Sequence, residues 1–257
     1  MKVTLLGNLE GSQYAAKEKA IAVIIDTLRA STTMPTAMSK GITELYVAKE
    51  VDDTRLSAKE NNTLLMGERG CIMLDGFNFG NSPTELMKQT EFENTKVSFT
   101  SSTGSRRTVD AIGSDILIIG SPINAKAVAK LLVKLSEEDK NKPIVLIPCF
   151  TEGSIIDNTI TEDQLGGLVI ALELKNLGID LPSELLVEVL YLEERLSEQS
   201  LKELYLETKH GQKLIELKFV DDLEFCSQIS KIDFVPISRN DIVTLSNESK
   251  VVKFKQA

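Results

Sequence analysis

Residues 21–38 read IAVIIDTLRASTTMPTAM. Their apolar start, residues 22–26 by pattern, is a buried strand: β-branched, uninterrupted and short. It ends in Asp26, followed by a turn, Arg29, and then Ser31, Thr32 and Thr33 at the head of a helical segment at 31–39. In an open α/β sheet, ligands bind at strand carboxyl ends beside helix N-termini. This stretch therefore delivers a carboxylate, a guanidinium and hydroxyls to one such place. Asp26 can hold a divalent cation. Arg29 can grip a planar anion through parallel hydrogen bonds, and hydroxyls with free N–H groups at a helix start suit phosphate.

Outward from that segment the alternation continues. Strands are expected at 2–6, 44–47, 63–66, 96–100, 116–120 and 144–148, with helices at 82–88 and 125–135 between some of them. The pattern predicts an α/β fold, a layered α/β/α sheet with its site at the strand carboxyl ends. Residues 161–177, 183–196, 200–217 and 221–228 read as helices. Segments 233–237 and 242–245 read as a terminal strand pair. The Lys-rich piece at 136–142 is the expected boundary between two α/β halves. The first, 1–140, carries most of the anion- and metal-binding loops, and 141–257 is helix-rich.

Composition narrows the chemistry. The 257 residues are 42% hydrophobic and 26% charged, with a formal net charge of −9. That is ordinary for a globular chain and opposes general nucleic-acid binding, which needs a basic surface. The three cysteines have neither zinc-like spacing nor a disulfide framework, as expected of a cytoplasmic protein. The N-terminus turns polar too soon for a secretory signal, and no apolar run reaches membrane-spanning length. The single histidine, His210, argues against a multi-histidine metal cluster or a phosphohistidine pair. No Cys is followed six positions later by Arg, no Asp-x-Asp occurs, and there is neither a P-loop nor Gly-x-Gly-x-x-Gly.

Further polar clusters follow the other strands. Gly67-Glu68-Arg69-Gly70 offers Glu68 as a second carboxylate or base and Arg69 as a second anion clamp. Asn81 precedes Ser82-Pro83, an N-cap and first-turn pair, and both can face an anion. Ser101-Ser102-Thr103-Gly104 enters a helix beside Arg106 and Arg107, an oxyanion-type turn that includes Ser101, Thr103 and Gly104. Asn124 either caps the helix at 125 or touches substrate. Glu162 and Asp163 open a helix behind Thr161, where acidic residues are favoured by the helix dipole alone. Cys149 reads as a small buried hydrophobe, and Lys209-His210-Gly211 as an ordinary helical stretch.

Taken in order, VIIDTLRASTT (23–33), GERG (67–70), GFNFGNSP (76–83), the turn at 100–104, GSPINAKAVA (120–129), the Glu-Asp and Gly-Gly pairs within 162–167, KHGQKLIELKFVDDLEFC (209–226) and DFVP (233–236) resemble the 2-phosphosulfolactate phosphatase family of coenzyme M biosynthesis. The resemblance implies an α/β fold distinct from the better-known phosphatases. It also implies Mg²⁺-dependent hydrolysis of a small anionic phosphate monoester, releasing 3-sulfolactate. Under it, Asp26 and Glu68, with Glu162 or Asp163, hold Mg²⁺. Arg29, Ser31, Thr32 and the 101–105 turn hold phosphoryl oxygens, and Arg69 and Asn81 hold a sulfonate or carboxylate. Asp26 is either a metal ligand or a nucleophile. Two stretches depart from the family's pattern. SSTGSRR at 101–107 stands where a Thr-Asn-Gly-Thr-like turn is expected, and the segment after Cys149 is longer. They leave open a broader small-acid phosphatase, or an anion-binding protein without catalysis. The apolar helices at 168–177 and 185–192 suit a homo-oligomer interface and core packing equally.

Overall fold

The computed structural model describes residues 1–89, 92–157 and 159–257. Its strands are β1 (Val3–Leu5), β2 (Ile21–Ile25), β3 (Ile42–Val47), β4 (Leu64–Arg69), β5 (Ile72–Met73), β6 (Thr95–Thr100), β7 (Ile116–Ile119), β8 (Ile144–Pro148), β9 (Pro236–Ser238), β10 (Ile242–Thr244) and β11 (Lys250–Gln256). The helices are α1 (Asn8–Lys17), α2 (Ala30–Ser39), α3 (Val51–Asn61), α4 (Pro83–Lys88), α5 (Gly104–Asp110), α6 (Ala125–Glu138), α7 (Glu162–Asn176), α8 (Ser183–Glu198), α9 (Leu201–Leu206), α10 (Lys209–Glu216) and α11 (Val220–Cys226). The architecture is the expected layered α/β/α type.

The sheet runs β1-β8-β2-β7-β9-β11-β3-β6-β4-β5, with β10 added to β11. β1, β8, β2 and β7 pair in parallel, as do β3, β6 and β4. Between these groups β7–β9, β9–β11 and β11–β3 are antiparallel steps. β11 joins the groups: residues 252–254 pair with β3 and residues 255–256 with β9. The segments 1–140 and 141–257 interleave in this sheet, because β8 lies between β1 and β2 and both β9 and β11 lie between β7 and β3.

All five residues of β2 are buried, and its alternation serves two cores. Ile21, Val23 and Ile25 pack with Val128 and Leu132 of α6 and with Leu165 and Leu168 of α7. Ala22 and Ile24 face the other way, against Met34 and Met38 of α2, Leu45 and Val47 of β3 and Phe99 of β6. That second core is shared by both parallel groups, which brings the loop after β6 to the loop after β2. Each fully buried Ile or Val contributes about 1.5–3 kcal/mol, so β2 is a firm base for Asp26.

Two expectations are corrected. The helix expected over 200–217 is two helices, because Thr208 is extended and accepts from the Gly211 N–H (3.0 Å), restarting the chain as α10. Segments 233–237 and 242–245 do not form a strand pair: β9 and β10 each pair with β11 instead. The alternating KVVKFKQ of β11 provides a buried face through Val252 and Phe254. Among the described residues no helix is long and apolar enough to cross a membrane.

Candidate active site

Asp26 stands at the carboxyl end of β2, and backbone donors fix its carboxylate. Gly104 N–H donates to Oδ2 (2.7 Å) and Ala30 N–H to Oδ1 (3.3 Å), while the Asp26 N–H donates to Ser31 Oγ (2.8 Å). Burial, followed by the charge of Glu68, pushes the Asp26 pKa up to about 6, against the opposing influence of His210 and the two N–H donors.

Three more acids join it around one cavity of about 820 Å³. Glu68, at the end of β4, accepts from the Ser102 N–H (2.7 Å), the Cys71 N–H (2.7 Å) and the Ser102 hydroxyl (3.1 Å). Asp163 and Glu162 occupy the first turn of α7, fixed by a capping box in which Thr161 and Gln164 exchange hydrogen bonds. Asp163 accepts from the Thr27 N–H (2.7 Å) and the Phe150 N–H (3.1 Å), tying α7 to the loops after β2 and β8. Burial, then Glu162 and Asp26, hold the Asp163 carboxyl well above the usual carboxylate range. This close approach needs Gly166, since a Cβ there would lie 2.2 Å from Thr27 Oγ1.

Buried carboxylates that disfavour one another's ionisation form an oxygen-rich, cation-attracting wall. Among the described residues no three His, Cys, Asp or Glu side chains are gathered in metal-binding geometry. The donor chemistry nonetheless suits Mg²⁺, which takes one or two carboxylates and completes its shell with waters and substrate phosphate.

The sequence-selected residues divide into two sets. Asp26, Arg29, Glu68, Asn81, Thr103, Glu162 and Asp163 line the cavity. Arg29 is nevertheless committed: it donates to Asp222 Oδ2 (2.6 Å) and the Cys71 carbonyl (2.8 Å) and stacks on Phe219. Asn81 Oδ1 is buried without a partner among the described residues.

The other set supports the wall from behind. Ser31 receives the Asp26 N–H, and the Thr32 hydroxyl donates to the Thr27 carbonyl (3.0 Å). Ser82 caps α4 and donates to Asp222 Oδ1 (2.7 Å). Ser101 accepts from the Ser105 N–H (3.0 Å) at the start of α5. Gly104 contributes its N–H to Asp26. Asn124 accepts from the Ser121 N–H and donates to the Phe234 carbonyl (3.0 Å each); it stands at the N-cap position of α6, but its side chain makes no cap hydrogen bond to that helix. Arg69 donates to the carbonyls of Glu68 (2.8 Å) and Lys49 (3.0 Å) and to Thr100 Oγ1 (3.0 Å).

The cavity also holds groups that sequence reading did not select. His210 and Lys213 of α10 reach its wall. Burial alone would lower the His210 pKa. Cys71, whose Sγ is 4.0 Å from Nε2, and the charges of Glu162 and Asp26 outweigh that and raise it. Asp222, the partner of Arg29, was hidden in a helix-opening Asp-Asp pair. The only local cue at α10 is the Thr-x-x-Gly at 208–211, which restarts the helix. Cys149 is buried as expected, and burial pushes its thiol pKa up, which leaves it a poor nucleophile.

Comparison with known proteins identifies the family. A family model described as 2-phosphosulpholactate phosphatase matches residues 9–241. A protein named probable 2-phosphosulfolactate phosphatase from Carboxydothermus hydrogenoformans is 34% identical, over 86% of this chain and 87% of its own. The 2-phosphosulfolactate phosphatase of Methanocaldococcus jannaschii is 30% identical, over 91% and 93%. A probable 2-phosphosulfolactate phosphatase of Clostridium perfringens is 29% identical, over 98% and 99%. With a match spanning most of its length and every segment of the cavity wall, this chain belongs to the 2-phosphosulfolactate phosphatase family, a family of phosphoric monoester hydrolases.

Proposed function

We propose that this enzyme hydrolyses 2-phospho-3-sulfolactate to 3-sulfolactate and phosphate, with Mg²⁺ as its cofactor. The observation that carries the reading is the set of four acids, Asp26, Glu68, Glu162 and Asp163, on one cavity wall. Such a cluster is costly unless a cation offsets it. One or two of these carboxylates, with Asp26 and Glu68 first, would hold Mg²⁺, which when bound polarises a phosphoryl oxygen and acidifies a coordinated water.

The chain's own groups divide the remaining work. The N–H groups of Gly104 and Ala30 fix Asp26 at the reacting end, so that little reorganisation is needed as charge develops. Thr103 faces the same space and suits a phosphoryl oxygen. The backbone N–H donors to Glu68 and Asp163 keep those carboxylates aimed without occupying all their lone pairs.

Phosphate release from 2-phospho-3-sulfolactate, measured with Mg²⁺ and with EDTA, tests this reading. Metal-dependent turnover is expected. Folded protein that releases no phosphate in excess Mg²⁺ would overturn it.

A further inference from the structure

Several charged groups that line the cavity are already paired. Glu152 is bound to Lys209 (2.8 Å), Glu207 to Arg195 (3.0 Å) and Arg29 to Asp222 (2.6 Å). What remains along the lining are four acids, Asp26, Glu68, Glu162 and Asp163, and two basic residues, His210 and Lys213. Both basic residues come from α10, and Lys213 has no carboxylate partner among the described residues. Arg69, selected from sequence as a second anion clamp, is spent on backbone carbonyls and Thr100. The unpartnered Asn81 side chain, 5% exposed and on the same wall, adds a neutral amide.

A phosphate ester bearing further anionic groups needs cations away from the reacting phosphorus. A chain with net charge −9 must supply them locally. We infer that the α10 face formed by His210 and Lys213, assisted by the Asn81 amide, binds the non-reacting anionic group of the substrate and so sets specificity. The shared chemistry is an ionised oxyanion; a sulfonate and a carboxylate are its two sources. This inference rests on the hydrolysis proposed above, and it assigns a task to the break between α9 and α10. The extended Thr208 restarts the helix so that its basic side chains reach the cavity.

The test compares wild type, Lys213→Gln and Lys213→Arg, with His210→Gln as a second probe of the same face. Lys213 is exposed, so its variants are expected to fold. Each protein is assayed on 2-phospho-3-sulfolactate, on 2-phospholactate, which lacks the sulfonate, and on the phosphate ester of 2-hydroxyethanesulfonate, which lacks the carboxylate. Lys213→Gln should lower kcat/KM on the full substrate about 10-fold or more, mainly through KM, and Lys213→Arg should restore most of it. The penalty should persist on one truncated ester and shrink on the other, which identifies the group that is read. An equal penalty on all three esters, or none on the full one, overturns the inference. Calorimetric binding of 3-sulfolactate to the same proteins separates this outcome from failure of the hydrolysis reading. Wild type that binds 3-sulfolactate more tightly than Lys213→Gln, yet releases no phosphate, keeps the anion site and removes the proposed reaction. Equal binding by the two proteins removes the anion site.

Discussion

Arg29 and Asp222 lie 193 residues apart in sequence and meet at 2.6 Å, with side chains 2% and 1% exposed. The pair joins the loop after β2 to α11. Asp222 also accepts from the hydroxyls of Ser82 (2.7 Å) and Thr84 (2.5 Å) at the start of α4. One carboxylate thus fastens three parts of the chain behind the active site. Its loss would leave a buried guanidinium uncompensated, a change that typically costs about 3–5 kcal/mol. Asp222→Ala should lower the urea midpoint accordingly, and an Arg29→Met, Asp222→Leu double variant should recover part of that loss. A wild-type midpoint for Asp222→Ala would contradict this role.

The raised pKa of Asp26 gives stability a definite pH dependence. Below its ordinary value of 3.8 the group is protonated in both folded and unfolded chains. Between 3.8 and about 6 the unfolded chain ionises first, so the folded state loses stability as pH rises. Above that window the deficit is constant at about 3 kcal/mol. Asp26→Asn, which cannot ionise, should therefore be more stable than wild type at pH 7.5 in EDTA, with the difference vanishing near pH 4. Urea titrations across that range measure it. A variant less stable than wild type at pH 7.5 would contradict the assignment.

Gly104 is placed so that its N–H reaches Asp26, and a side chain there would displace what the N–H holds. A Cβ would stand 2.6 Å from Asp26 Oδ2 and 2.9 Å from its Cβ. Gly104→Ala should lower kcat by about 10²-fold, the scale of a misplacement near 1 Å. The urea midpoint should change far less, since the nearest atoms the added methyl meets are those of the Asp26 side chain. A kcat within about twofold of wild type would show that Asp26 tolerates movement.

The parallel strands were legible because they are buried on both faces and read as unbroken apolar runs. Ile21–Ile25 is the clearest case, and its end marked Asp26. Glu68, Glu162 and Asp163 were legible because each acid stands where a strand ends or a helix begins. Local sequence carries no record of what lies across the fold. Ser31 and Thr32 look like anion ligands, yet their hydroxyls close the turn beneath Asp26. Arg69 looks like a second clamp, yet it is turned onto backbone carbonyls. The stretch from Leu201 to Glu216 keeps a helical period through Thr208, so the break that positions His210 leaves the hydrophobic pattern intact. The sequence reading assigned no element to β11, whose place beside β3 depends on pairing across the fold.

The most direct test of the central claim is phosphate release from 2-phospho-3-sulfolactate by wild type and Asp26→Asn, measured side by side over a range of Mg²⁺ concentrations. Wild-type turnover should saturate with Mg²⁺. Asp26→Asn should lose about 10³-fold or more in kcat while remaining folded, whether its carboxylate ligates the metal or attacks phosphorus. Turnover by the variant within a few-fold of wild type would show that the chemistry lies elsewhere in the cavity.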